Sequence, residues 1–233
     1  MNFSRPVPMA PAWLAAAFFF AGIPAASALD PTMGAASLPR GLPGLLAGQM
    51  DGMAAPAPSV DAAYRPDPDV RRRLADIMAD AAARQGQREA EEMRALVLSG
   101  EAVRQYERAA PQLGYHAHDA IDGLAFYLLA QWGVANDHRP AITPAQAAGV
   151  RRQAARAFAG VADQVDTDAL RQEFGEMLMI QGAIMAGVHE AALRAGDEAA
   201  LARYAAMARK GGRALFQADP ADVALTDDGF RRK

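Results

Sequence analysis

The chain has 233 residues, 52% hydrophobic and 22% charged, with 15 Pro, no Cys and a formal charge of −3. Such apolar content excludes a wholly disordered chain, and the lack of Cys excludes disulfide scaffolds, thiolate zinc sites and covalently attached c-type haem. With 24 basic residues against 27 acidic ones there is no basic excess to attract a nucleic acid.

Arg5 is the only charge in the first 29 residues, and an apolar run of 14 residues follows from Ala10 to Ile23. Small residues at Ala26 and Ala28 then complete the order of a secretory signal peptide over 1–28. As a helix the run spans about 21 Å, short of a hydrocarbon core of about 30 Å, so cleavage is favoured over a retained anchor. Cleavage after Ala28 leaves 205 residues, 23 basic and 27 acidic, at a charge of −4. The expected product is periplasmic or secreted, with no stable transmembrane segment after signal cleavage.

Residues 30–68 carry seven Pro and five Gly, which exclude a long helix or a central strand. Residues 29–68 therefore read as a disordered Pro/Gly-rich linker. Leu38, Leu42, Leu45 and Leu46 support a rival expectation, because a linker needs no leucines. This short stretch can strap onto a groove of the domain or of a partner.

From Asp69 the apolar residues recur with helical period, and the helical domain is assigned to 69–233 with a short C-terminal tail. Asp67-Pro68 caps a first helix whose apolar face includes Val70, Leu74, Ile77, Met78 and Ala81. Gly86 interrupts, and Met93, Leu96 and Val97 mark a second helix. Ser99-Gly100 restarts the chain, with Val103, Tyr106, Ala110 and Leu113 on the next face. Asp119–Asn136 is apolar around much of its circumference, as expected of the central helix of a bundle. Thr143-Pro144-Ala145-Gln146 opens the following helix with a capping box. A long helix over about 167–195 carries Leu170, Phe174, Met177, Gln181, Ile184 and Val188. The last helix contains Gly211-Gly212, where either the helix breaks or a neighbouring backbone comes close. Beyond Pro220, Leu225 and Phe230 are candidate apolar plugs. The fold class is all-α, a bundle of six or seven helices.

The run Phe126-Tyr127-Leu128-Leu129-Ala130-Gln131-Trp132-Gly133-Val134-Ala135-Asn136, with Thr143–Gln146 and Leu225–Phe230, resembles a bacterial family of exported, alanine-rich helical proteins known only as a domain of unknown function. The resemblance covers about 69–230. It implies a secreted helical fold and carries no catalytic or ligand residues.

The candidates for chemistry are few. His116 and His118 can meet one metal only in an extended segment and diverge once helical, and no Glu-x-x-His or H-E-x-x-H pattern accompanies them. Glu173 and Glu176 lie at i, i+3 and can share a face of the long helix as a candidate carboxylate pair for glycan cleavage, against a solvated charged face as the plain alternative. Gln181 falls on an apolar stripe, so its burial calls for partners. Asp122 and Tyr127 are the expected ones, in a structural polar network or in a ligand cavity lined by Tyr127, Trp132 and Gln181. Met177, Met179 and Met185 read as core filling. No cofactor is implied.

Three functions remain. The first is a non-enzymatic exported protein that binds an envelope partner or itself. The second is a cell-wall glycan hydrolase, and the third a small-ligand carrier with a pocket between helices. Whether the protein is an enzyme stays open, with the missing motifs weighing against it.

Overall fold

A computed structural model describes residues 38–51 and 59–233. The leader expected at 1–28, and the linker portions 29–37 and 52–58, lie outside the described residues.

Eight α-helices, three short 3₁₀ turns and one two-stranded hairpin make up the described residues. Seven of the helices fall in the domain expected at 69–233: α2 (Pro68–Ala82), α3 (Gln87–Ser99), α4 (Glu101–Ala109), α5 (Ala120–Ala135), α6 (Pro144–Ala159), α7 (Asp168–Ala195) and α8 (Glu198–Phe216). The eighth, α1 (Leu42–Met50), lies inside the stretch expected as linker. Pro43 is tolerated in its first turn, and Leu42, Leu46, Ala47 and Met50 are buried. Burying each leucine stabilises the strap by about 2 kcal/mol. Its docking is close: a β-carbon at Gly160 would lie 2.6 Å from a methyl of Leu45.

α5 is buried at every one of its 16 positions, so it occupies the centre. It runs parallel to α7, and glycines let the two backbones meet. A β-carbon on Gly123 would sit 2.9 Å from the Gly175 carbonyl oxygen, and one on Gly175 only 3.1 Å from Ala120 Cα. The strap before α2 crosses the start of α5, with Tyr64 N–H donating to His118 O at 3.0 Å and Ala120 N–H to Ala62 O at 2.9 Å.

The helix signals act where the residues placed them. Gln146 N–H donates to Thr143 Oγ1 at 3.1 Å, while Thr143 N–H donates to Gln146 Oε1 at 3.0 Å. Val70, Leu74 and Met78 are buried, whereas Ile77, on the edge of that stripe, is exposed. α8 passes unbroken through Gly211-Gly212 because Pro220 packs there; a β-carbon on Gly212 would lie 2.5 Å from Pro220 Cγ.

The C-terminal tail corrects the all-α expectation. Val223–Thr226 (β1) and Gly229–Arg232 (β2) pair antiparallel, with Leu225 opposite Phe230 and Thr226 opposite Gly229. The turn residues Asp227 and Asp228 are followed by Gly229 at φ +103°, a left-handed value that favours glycine. Strands of four residues offer too few alternations to stand out from flanking Ala and Arg.

Candidate functional site

Glu176 and Glu173 project from the first turns of α7 into different surroundings. Glu176 is 0% exposed, and Arg71 of α2 grips both its oxygens, Nε to Oε2 at 2.9 Å and Nη2 to Oε1 at 2.7 Å. Gln172 Nε2 donates to Glu176 Oε1 at 3.1 Å and to Asp67 O at 3.0 Å, while its Oε1 accepts from Asp67 N–H at 2.8 Å. The hydrogen bond to Glu176 raises the Arg71 pKa despite partial burial. Burial, followed by the Glu176 charge, pushes the Tyr64 phenol well above its ordinary range. These groups clamp the α2 entrance onto α7, and the buried carboxylate has no open side for a substrate.

Glu173 instead lines an open cleft of about 280 Å³ with Leu38, Pro39, Arg40, Gln164, Val165, Leu170, Phe174 and Met177. Gln164 holds one wall, its Oε1 accepting from Arg40 N–H at 2.9 Å and its Nε2 donating to Arg40 O at 3.2 Å. Leu170, counted from its periodicity as a core residue, is 41% exposed here. The structure therefore does not bring the two glutamates to one groove.

Asp122, fully buried on α5, organises a second polar centre. Its Oδ2 accepts from His116 N–H at 2.8 Å and lies 2.9 Å from His116 Nδ1, and its Oδ1 pairs with Arg151 Nε. Asp119, the N-cap of α5, accepts from Asp122 N–H at 3.0 Å. Burial and the Asp122 charge raise the Asp119 pKa above the usual carboxylate value. The His116 side chain that meets this carboxylate is itself 75% exposed. His118 faces other partners, with Nε2 3.9 Å from Glu107 Oε1 and its ring 5.7 Å from that of Tyr64. The two histidines do not converge. Among the described residues no group of three or more acidic or histidine side chains is placed to hold a metal.

The expected polar network of Asp122, Tyr127, Trp132 and Gln181 does not assemble. Trp132 Nε1 donates to Val223 O at 2.9 Å, and Phe230 stands 6.1 Å from the indole and 5.2 Å from the Phe216 ring. The space beside Trp132 is thus filled by the chain's own hairpin. Tyr127 is buried, which raises its phenol pKa. Gln181 is half-buried, and its Nε2 has no hydrogen-bond partner among the described residues. Met177, Met179 and Met185 lie in the core.

One pairing escapes sequence reasoning. Buried His189 of α7 places Nε2 2.9 Å from Asp137 Oδ1, and Arg139 bonds Asp137 Oδ2 at 2.7 Å. Asp137 stands at φ 45° just past the end of α5. The Asn136-Asp137 pair after an apolar helix is the signal for that left-handed turn, and it says nothing about which histidine would meet it.

Fold and site together define a mostly helical domain, closed by a C-terminal hairpin, in which two buried acids, Glu176 and Asp122, join helices to one another. The chain belongs to a family of unknown function, DUF6683, whose model matches residues 46–233. No curated protein and no solved structure matches the chain.

Proposed function

We propose that this is an exported, non-enzymatic protein of the periplasm or cell exterior that works by binding an envelope partner or a second copy of itself. The leader-like order of Arg5, the apolar run and Ala26-x-Ala28 supports export. One observation weighs most against catalysis: Glu176 is locked in a bidentate ion pair with Arg71. A glycosidase needs two carboxylates open to the same bond, one of them holding a proton. The carrier reading loses its expected pocket, because Phe230 lies against Trp132.

Light scattering on the chromatographed chain without residues 1–28, with co-purification of tagged protein from envelope extracts, tests the proposal. A stable dimer, or a single partner retained at physiological salt, is expected. A monomer with no specific partner removes the proposal's support. Turnover of purified peptidoglycan that disappears in Glu173→Gln overturns it in favour of the hydrolase.

A further inference from the structure

We propose that the cleft between Leu38–Arg40, Val165 and the first turns of α7 binds a small organic cation, an ammonium or guanidinium group carried on a hydrocarbon body. At about 280 Å³ it has room for one side-chain-sized molecule. Its lining is mainly apolar, with Leu38, Val165, Leu170, Phe174 and Met177, and Met177 lends that surface adaptability. Leu170 is one of only three large apolar side chains left exposed among the described residues, and it is the one that lines a cleft.

The polar groups at the mouth select the sign of the charge. Both ends of the Gln164 amide are occupied by Arg40 backbone. Arg171, which neighbours the cleft on α7, is turned onto Asp168 Oδ1, Asp166 O and Ala63 O. The Arg40 side chain is exposed at the rim, where solvent and salt screen its charge. Glu173 accepts no hydrogen bond among the described residues. Arg73 Nε lies 4.0 Å from it, beyond hydrogen-bond reach, with side chains 54% and 28% exposed. So loose a surface pair yields readily to a cation seated in the cleft. Such a site goes beyond the interaction proposed above and stands or falls separately from it.

The test is an NMR titration of the ¹⁵N-labelled full chain with phenethylammonium chloride near neutral pH, with 2-phenylethanol as the uncharged comparison of similar shape. Saturable shifts at the amides of Val165, Leu170, Phe174 and Met177 are expected, with Kd of about 1 mM. Binding should weaken about fivefold for the alcohol and about fivefold for the amine in Glu173→Gln. Leu170→Asn, at an exposed position that leaves the fold intact, should weaken both ligands. Absence of saturation by about 20 mM, equal affinity for amine and alcohol, indifference to Glu173→Gln, or shifts centred elsewhere would each overturn the proposal.

Discussion

Gln153 of α6 holds Phe230 of β2 by both backbone groups: its Oε1 accepts from Phe230 N–H at 2.7 Å, and its Nε2 donates to Phe230 O at 2.8 Å. Phe230 sits opposite Leu225 in the hairpin, a pair whose backbone groups point away from the partner strand. One glutamine side chain therefore replaces the missing third strand and caps the edge. The same Nε2 also reaches Gln49 O of α1 at 3.2 Å, so the strap and the tail share one anchor.

Removing that anchor should be costly. Gln153→Ala leaves a buried N–H and a buried C=O unpaired, at about 1–3 kcal/mol for each group. Urea denaturation should show a loss of about 3 kcal/mol. Gln153→Glu keeps the acceptor but loses the donor, so it should recover only part of the stability. An unchanged midpoint in Gln153→Ala would disprove the role of this side chain.

Glycine substitutions should divide by what lies opposite them. A β-carbon at Gly149 would overlap the Gly229 backbone nitrogen, and nothing lies within 4 Å of one at Gly133. Gly149→Ala should destabilise by about 1–3 kcal/mol, since backbone cannot step aside. Gly133→Ala, in the interior of α5, should be neutral or stabilising by up to about 1 kcal/mol through reduced freedom of the unfolded chain. Thermal unfolding of the two variants distinguishes them.

The Arg71–Glu176 pair predicts a non-additive cycle. Arg71→Met strands a fully buried carboxylate and should cost about 3–5 kcal/mol. Adding Glu176→Leu should restore much of that loss, because the charge that needed a partner is gone. Two losses that simply add would show that the residues do not act as a pair.

Two aspartates should respond to pH with opposite sign. The Asp119 pKa is raised by burial and by the Asp122 charge, so its ionisation opposes folding above the folded-state pKa. Asp119→Asn, which keeps a capping oxygen for Asp122 N–H, should hold or raise stability near neutrality and lose that advantage as the pH falls toward about 4. For Asp137, burial works against ionisation, but hydrogen bonds from Arg139 and His189 prevail and hold its pKa below the ordinary carboxylate value. Its contribution is complete above about pH 4 and disappears as the pH falls through the lowered value. Asp137→Asn should therefore flatten the acid limb of the stability profile. Denaturation midpoints across the acid range test both signs.

Helix positions were open to local reading because their causes are local. Thr143, Pro144 and Gln146 lie within four residues, and their capping box forms wherever the chain goes next. The sequence of α5, apolar around most of its circumference, likewise announces a central helix before any neighbour is known. Periodicity also put Leu170 and Ile77 on their stripes. It did not tell that both sit at the edge, where burial depends on a neighbouring element.

Three buried polar groups found partners with no such local origin. Glu176 meets an arginine 105 positions away, Gln153 a backbone 77 away and His189 an aspartate 52 away. Each match arises only when helices cross, because a side chain's spacing along its own helix cannot name the group that will face it. Likewise, Leu42 and Leu46 advertised an apolar strap, but only the groove beside Gly160 turned nine Pro/Gly-interrupted residues into a helix. Short-range capping and apolar periodicity are written in consecutive residues. The pairing of buried charges, and the closing of the Trp132 face by Phe230, come from long-range packing that makes desolvation tolerable only in one arrangement.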